Sequence, residues 1–110
     1  FILQHWRPNF ITDSQIIAPI VEIDNIGMNQ DLIGKLVLIE SADPGYDWLF
    51  GQDIAGLITK YGGVASHMAI RAAELNLPSA IGCGDLIYEQ LKQASIVRLD
   101  CVSQSVKGVK

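Results

Sequence analysis

Short hydrophobic runs separated by turn residues make up most of this chain. Two β-branched or aliphatic runs, residues 16–23 and 35–40, are followed by Asp, Asn, Gly, Ser or Pro, and a third covers residues 55–59 ahead of a Gly-Gly pair. Runs of this length and composition predict strands that are buried on at least one face. Similar but shorter runs predict further strands at 79–81, 96–99 and 106–109.

A helical period replaces this pattern from Ser66 onward. Strong helix formers recur at helical spacing between Met68 and Leu75. Asn76, which precedes a Leu-Pro pair, predicts the end of this helix.

Two further helical segments are predicted. Residues 85–92 predict a second helix with Asp85 at its cap. Residues 46–52, which follow a Pro-Gly pair, predict a short helical turn that places Trp48 and Phe50 against the sheet. Strands that alternate with helices at these spacings predict an α/β domain in which a strand leads through a glycine loop directly into a helix.

The composition fits one compact domain. The 110 residues are 49% hydrophobic and 18% charged, which argues against disorder. Residues 1–14 carry turn formers among scattered aromatics and predict an irregular lead-in or linker remnant, which leaves 15–110 for the domain. The chain begins with Phe1 and has no basic leader, so we expect a piece of a longer polypeptide.

Charge and hydropathy argue against two classes of partner. The net charge of -4 argues against nucleic acid, since proteins that bind it concentrate positive charge. Lys35 and other charged or turn residues interrupt each apolar stretch well before the ~18 residues of a bilayer span, so no membrane association is expected. Cys83 and Cys101 lack CxxC spacing, and we expect them to be small buried hydrophobes in a soluble, cytoplasmic protein.

The segment Gly62-Gly63-Val64-Ala65-Ser66-His67 carries the candidate chemistry. It places His67 in the first turn of a helix, where N–H groups and a partial positive charge would hold a phosphoryl group on the imidazole. The same field keeps the imidazole neutral and nucleophilic. Arg71 lies one turn further along the same face and is a candidate phosphate contact.

Local physics alone leaves other interpretations open and favours a structural one. A Gly-Gly pair before a helix is more often a turn, a lone histidine is more often structural or solvated, and Ser66 is first of all an N-cap. Ser66 and His67 do not form a hydrolase dyad, because adjacent helix residues point about 100° apart. No metal is expected, because His5 lies far away in the sequence.

A longer stretch, residues 56–82, resembles the signature of a known family. It is similar to the mobile phosphohistidine, or swivelling, domain of the PEP-utilizing enzymes, the phosphoenolpyruvate synthase and pyruvate phosphate dikinase group. The pattern T-x-x-G-G-x-x-S-H-x-A-I begins here at Thr59 and is followed by a helix and an I-P-A-V-x-G-like strand that ends at Gly82. The likeness covers about residues 32–109. It implies a compact β/β/α swivelling domain.

The resemblance also implies roles for individual residues. His67 would be the transiently phosphorylated residue, and the loop around its phosphoryl group would consist of Thr59, Gly62, Gly63 and Ser66.

Several positions depart from the family pattern. The family's usual helix arginine falls at Ala73 here, so no arginine role is carried over to Arg71. Asn76 and Leu77 replace the family's common Gly-Ile pair. This is a mild change, because Asn tolerates the left-handed backbone conformation that ends a helix. Residues 93–95 and Gln104 stand where glycine is common, and these changes bear on the closing hairpin.

The resemblance implies partners as well. In the family, this domain moves between an ATP-grasp nucleotide-binding domain and an acceptor site for pyruvate, PEP or another acceptor. This chain has no G-x-x-x-x-G-K-[ST] motif and no candidate pair of Mg²⁺ carboxylates, so Mg²⁺ and ATP are expected at the partner domain and no cofactor here. We therefore expect a phosphoryl-carrier module of a kinase- or dikinase-type phosphotransferase that is inactive alone.

The sequence leaves two alternatives open. One is a docking or regulatory module that keeps the fold without carrying phosphate; the other is a small dehydratase-like swivelling domain, which shares the layered arrangement. The acidic residues Asp43, Asp47 and Asp53 are predicted to be turn or cap residues, with the alternative that Asp43 or Asp47 shapes the rim facing His67.

Overall fold

One mixed sheet is the framework of the domain in the computed structural model. Within the described residues 8–23, 31–63 and 65–110, seven strands form this sheet in the order β1-β5-β4-β3-β2-β6-β7. The strands are β1 Asn9–Ile11, β2 Gln15–Glu22, β3 Leu36–Ser41, β4 Gly56–Tyr61, β5 Ser79–Ile81, β6 Ile96–Asp100 and β7 Ser105–Gly108. The helices are a 3-10 helix Pro44–Gly51, α1 His67–Glu74 and α2 Gly84–Lys92.

The centre of the sheet is parallel and its edges are antiparallel. The strands β2, β3, β4 and β5 pair in parallel, whereas β1 runs antiparallel to β5, and β6 runs antiparallel to both β2 and β7. The 3-10 helix joins β3 to β4, and α1 joins β4 to β5. A central parallel strand is covered on both faces, which explains why four consecutive residues, 36–39, are all hydrophobic and fully buried.

Two hydrophobic clusters lie on opposite faces of the sheet, because successive side chains of a strand point to opposite sides. Leu38 of β3 and its register partner Ile58 of β4 lie in the cluster with α2. The next pair, Val37 and Leu57, lies in the other cluster with α1 and the 3-10 helix. The sheet therefore separates an α1 face from an α2 face.

The predicted α/β class is confirmed. Each predicted strand and helix has a counterpart displaced by at most two residues at either end. The helical turn predicted over 46–52 is the 3-10 helix Pro44–Gly51, and Trp48 and Phe50 pack, partly buried, against the α1-face cluster as predicted. None of the helices among the described residues is long and apolar enough to cross a membrane.

Two local features differ from the sequence prediction. The strand β1 lies inside the segment 1–14, for which an irregular lead-in was predicted; residues 1–7 lie outside the described residues, and the division at residue 14 stays a prediction. The prediction that Asp85 caps the second helix is wrong. The N-cap is Cys83, and Asp85 lies in the first turn, where a carboxylate is still favoured by the helix dipole.

The two cysteines are free and buried, as predicted. Burial raises the pKa of the Cys83 thiol to about 12, so this thiol is protonated at neutral pH. Cys101 donates to the carbonyl of Ile11 at 3.2 Å and so ties the end of β6 to β1.

Candidate functional site

The turn between β4 and α1 depends on its first glycine. Gly62 has a φ of 129°, and a Cβ added there would lie 2.6 Å from the Cβ of Ala42. Gly63 has open space where a Cβ would be. Its carbonyl accepts from the backbone N–H of Ser66 at 3.0 Å, which directs the chain into α1. The first glycine is therefore required by the backbone, and the second leaves the surface in front of the helix open.

Ser66 starts the helix and His67 is its first residue. Ser66 has extended backbone angles, and its Oγ accepts from the backbone N–H of Ala69 at 3.3 Å, so it is the N-cap. Met68 and Ala69 are buried, whereas the side chain of His67 is 43% exposed. The helix thus holds the imidazole at the surface, at the end where backbone N–H groups and positive potential favour an anion.

The 3-10 helix brings Asp47 to the imidazole. This helix begins at Pro44 and is capped by Asp43, whose Oδ1 accepts from the backbone N–H of Gly45 at 2.8 Å. One turn later, Oδ1 of Asp47 lies 2.8 Å from Nε2 of His67. The hydrogen bond from His67 is the largest influence on the pKa of Asp47, which lies below its usual 3.8, with Arg71 acting in the same direction and partial desolvation opposing both. Asp47 is therefore ionised at neutral pH.

Arg71 shares this carboxylate with His67. Its Nε lies 3.3 Å from the same Oδ1 of Asp47. The guanidinium also lies over the ring of Phe50, 5.6 Å from its centroid, and 3.6 Å from Oε1 of Glu74. The structure thus places Arg71 beside His67, as the helical spacing predicted, and the residue that joins them is Asp47.

Thr59 lies beneath the loop in strand β4. Its side chain is fully buried, and its hydroxyl donates to the carbonyl of Tyr61 and accepts from the backbone N–H of Gly82, both at 2.9 Å. The backbone N–H of Cys83 donates to the carbonyl of Thr59 at 2.8 Å. These bonds tie the end of β4 to the chain after β5 and so support the glycine turn from below. A direct phosphate contact by Thr59 stays a prediction.

The sequence predicts a turn or cap role for Asp47, with a role at the rim facing His67 as the alternative, and the structure places Asp47 at that rim. The two residues are 20 positions apart and meet only because the 3-10 helix packs against α1. Residue types and spacing give no signal for this pair, because Glu74 of α1 itself offers Arg71 a carboxylate three positions away.

The described residues contain no group of three or more His, Cys, Asp or Glu side chains that could hold a metal ion. What the arrangement offers is a surface imidazole, a neighbouring guanidinium and a helix N-terminus. These groups suit an anion that is bonded to the imidazole nitrogen or lies next to it.

Comparison with known proteins finds a match to the region that contains the site. The model of the family described as "PEP-utilising enzyme, mobile domain" matches residues 34–104, more than half of the chain and including every residue of the site. This match confirms the resemblance inferred from residues 56–82.

Similar proteins agree with the family match. A phosphoenolpyruvate synthase of Escherichia coli is 31% identical over 85 residues, which is 76% of this chain and 10% of that protein. A phosphoenolpyruvate synthase of Synechocystis sp. is 30% identical over 95 residues, 86% of this chain and 11% of that protein. The chain therefore spans about a tenth of the length of these curated relatives.

A solved structure shares the fold. The solution NMR structure of a UPF0107 protein superposes with a TM-score of 0.69 and covers 94% of this chain and 98% of its own, at 11% sequence identity. The similarity shows the architecture alone.

Proposed function

Because this chain belongs to the family of mobile domains of PEP-utilising enzymes, we propose that it is a phosphoryl carrier in which His67 takes up a phosphoryl group at one site and gives it up at another. The single observation that carries this proposal is the half-exposed imidazole of His67 at the capped N-terminus of α1, with Arg71 beside it.

The chemistry requires an accessible nitrogen lone pair and a place for a dianion. Nitrogen attacks phosphorus as the bond between phosphorus and the donor's leaving group breaks, and the phosphoimidazole then passes the group on in the reverse sense. The N-terminal N–H groups of α1 and the guanidinium of Arg71 supply positive potential for the three phosphoryl oxygens. No basic cluster is needed, which is consistent with the net charge of -4.

The donor and acceptor sites belong, in this proposal, to other parts of a longer polypeptide. The similar phosphoenolpyruvate synthases are about ten times as long as the matched segment. We infer an ATP-grasp domain that binds ATP with Mg²⁺, and an acceptor site for pyruvate or PEP, in a cytoplasmic phosphotransferase of the kinase or dikinase type. We assign Mg²⁺ to the nucleotide site of that partner domain, because Mg²⁺ is commonly held between one or two carboxylates and the phosphates of the nucleotide. The carrier is inactive without those sites.

The test is the detection of acid-labile, alkali-stable phosphate on the complete gene product that contains this chain. The protein is incubated separately with ATP labelled at the β or the γ phosphate and with labelled PEP. We expect label that disappears in His67→Ala and persists in His5→Ala, which removes the other histidine of the chain. A folded, nucleotide-binding gene product that takes label from no donor would contradict the proposal and favour the docking or regulatory module.

A further inference from the structure

A single carboxylate oxygen contacts both the imidazole and the guanidinium of the candidate site. Oδ1 of Asp47 lies 2.8 Å from Nε2 of His67 and 3.3 Å from Nε of Arg71. An anionic oxygen therefore already lies between the nitrogen that can attack phosphorus and the guanidinium that can neutralise the transferred group. A phosphoryl oxygen on Nε2 would need the same space and the same cation.

The contact also determines the position of the imidazole proton. An ionised carboxylate can only accept a hydrogen bond, so the nitrogen that faces Asp47 must carry the hydrogen. In the neutral ring, Nε2 is then protonated and has no lone pair to offer, and the lone pair is on Nδ1. As long as this contact is present, the nitrogen beside Arg71 is blocked.

We propose that Asp47 is an exchangeable anionic partner of His67 and Arg71: its carboxylate occupies the place beside Nε2 that a phosphoryl group takes, and it must leave before His67 is phosphorylated. The inference rests on the proposed carrier function and adds a regulation of its site. Asp47 and the phosphoryl group compete for one position, so the resting carrier is protected from reaction while the carboxylate is in place.

The surroundings of the pair allow this exchange. The side chain of Asp47 is 44% exposed, so rotation of its χ angles brings the carboxylate into water without moving the 3-10 helix. Arg71 has two further contacts, the ring of Phe50 and the carboxylate of Glu74, which keep the guanidinium in place when Asp47 leaves. The cation thus stays at the site while its anionic partner changes.

The chemical step balances without any group from Asp47. Once Asp47 leaves, water carries the proton from Nε2 to Nδ1, which frees the Nε2 lone pair. The lone pair forms the N–P bond as the bond from phosphorus to the donor's leaving group breaks, and the leaving group departs with that electron pair. The proton on Nδ1 then passes to the leaving group or to solvent.

Phosphoramidate provides the test, because it phosphorylates imidazole without an enzyme and releases ammonia, so no partner domain is needed. The chain is prepared with His5→Gln, which leaves His67 as the single histidine. The rate of phosphorylation and the phosphorylated nitrogen are followed by ³¹P and ¹⁵N NMR in the parent, in Asp47→Asn and in Asp47→Ala. Asp43→Asn is the matched control, because it removes the same charge from the same 3-10 helix and Asp43 contacts Gly45 rather than His67.

We expect phosphate on Nε2 and a rate about three- to tenfold higher in both Asp47 variants, the change appropriate to loss of a half-exposed, charge-assisted contact. The ¹⁵N shifts should show Nε2 protonated in the neutral parent and a mixture of tautomers in Asp47→Ala. The Asp43→Asn control should react at the parent rate.

Three results would overturn the inference. Equal rates in the parent and in folded Asp47 variants would show that Asp47 does not compete with the phosphoryl group. A slower reaction of the Asp47 variants than of the parent, or phosphate on Nδ1, would show that Asp47 instead orients the ring. Failure of the carrier proposal is recognised separately, since it appears as absence of label from ATP and PEP on the gene product and does not affect the phosphoramidate rates.

Discussion

The two faces of the sheet use charge differently. On the α2 face, charged and phenolic groups are distributed among several partners. Lys60 of β4 lies 3.6 Å from Asp85 and 3.5 Å from Glu89, both on α2. Tyr88 of α2 donates to Glu22 of β2 at 3.1 Å. On the α1 face, Arg71 also contacts Glu74, but one carboxylate, that of Asp47, serves both an imidazole and a guanidinium.

This difference separates contacts that stabilise the fold from contacts at the candidate site. The α2 contacts join a helix to two strands around Tyr88, which is completely buried, so they hold the layers together. The contacts of Asp47 and His67 join a helix to a 3-10 helix at the surface, where both side chains are more than 40% exposed. We therefore expect changes on the α2 face to alter stability and changes at His67 to alter phosphoryl transfer. Substitutions of Tyr88 test this division, and substitutions at the start of α1 measure how much the α1 face itself adds to stability.

The largest effect on stability is expected from Tyr88→Ala. The substitution removes the largest fully buried side chain of the described residues and leaves a cavity between α2 and the sheet. Loss of a buried aromatic side chain costs about 3–5 kcal/mol, so the free energy of unfolding measured with urea should fall by that amount. Phosphorylation of His67 by phosphoramidate, measured per folded molecule, should not change.

Tyr88→Phe is the matched control. It keeps the ring and removes the hydroxyl that donates to Glu22, so we expect a loss of only about 1 kcal/mol. If Tyr88→Ala slowed phosphorylation of the folded protein as strongly as it lowered stability, the two faces would be coupled and the division wrong.

The next effect concerns the glycine turn on the α1 face. Gly62→Ala places a methyl group against Ala42 at a φ of 129°, and should lower the free energy of unfolding by about 2 kcal/mol. Gly63→Ala, in open space, should change it by less than about 0.5 kcal/mol. Urea unfolding of both variants checks this prediction, and an equal loss in the two would contradict it.

The elements that could be predicted from sequence are those whose cause is local. The fully hydrophobic run 36–39 follows from burial on both faces of a parallel strand. The start of α1 follows from the Ser66 cap, and its end from Asn76, which has a φ of 55°. Gln104, where the family resemblance implies a usual glycine, has a positive φ of 60°.

The features that the sequence did not predict depend on long-range packing. The strand β1 exists because Asn9 pairs with Ile81, 72 positions away. The contact between Asp47 and His67 likewise depends on two helices meeting across a gap of 20 residues. Asp85 was predicted as a cap from its residue type, but its carboxylate accepts from the hydroxyl of Tyr61 at 2.9 Å. Residue types and spacing show which groups need partners and leave the partners themselves undetermined.

A smaller effect is expected at the helix cap. Ser66→Ala removes the oxygen that accepts from Ala69, which should lower the free energy of unfolding by about 1 kcal/mol. Ser66→Asn restores an acceptor and should recover most of that loss. Thermal unfolding of the two variants checks the prediction, and an Asn variant no better than the Ala variant would show that the hydroxyl does not act as a cap.

The smallest effect should appear in the acid dependence of stability. The pKa of Asp47 in the folded protein lies below 3.8, chiefly because His67 donates to its carboxylate and secondarily because Arg71 does. A carboxyl group with a lowered pKa contributes stability above its unfolded pKa, and this contribution is lost as the pH falls through the folded value. The parent should therefore exceed Asp47→Asn in stability at neutral pH, and the difference should shrink as the pH falls below the usual 3.8 of the carboxyl group and through its lower folded pKa. Urea unfolding across this range measures the difference. If the difference in stability between the two proteins stayed constant down to the lowest pH, the Asp47 carboxylate would not be its source. The contact with His67 would then be too weak to determine which partner the imidazole holds.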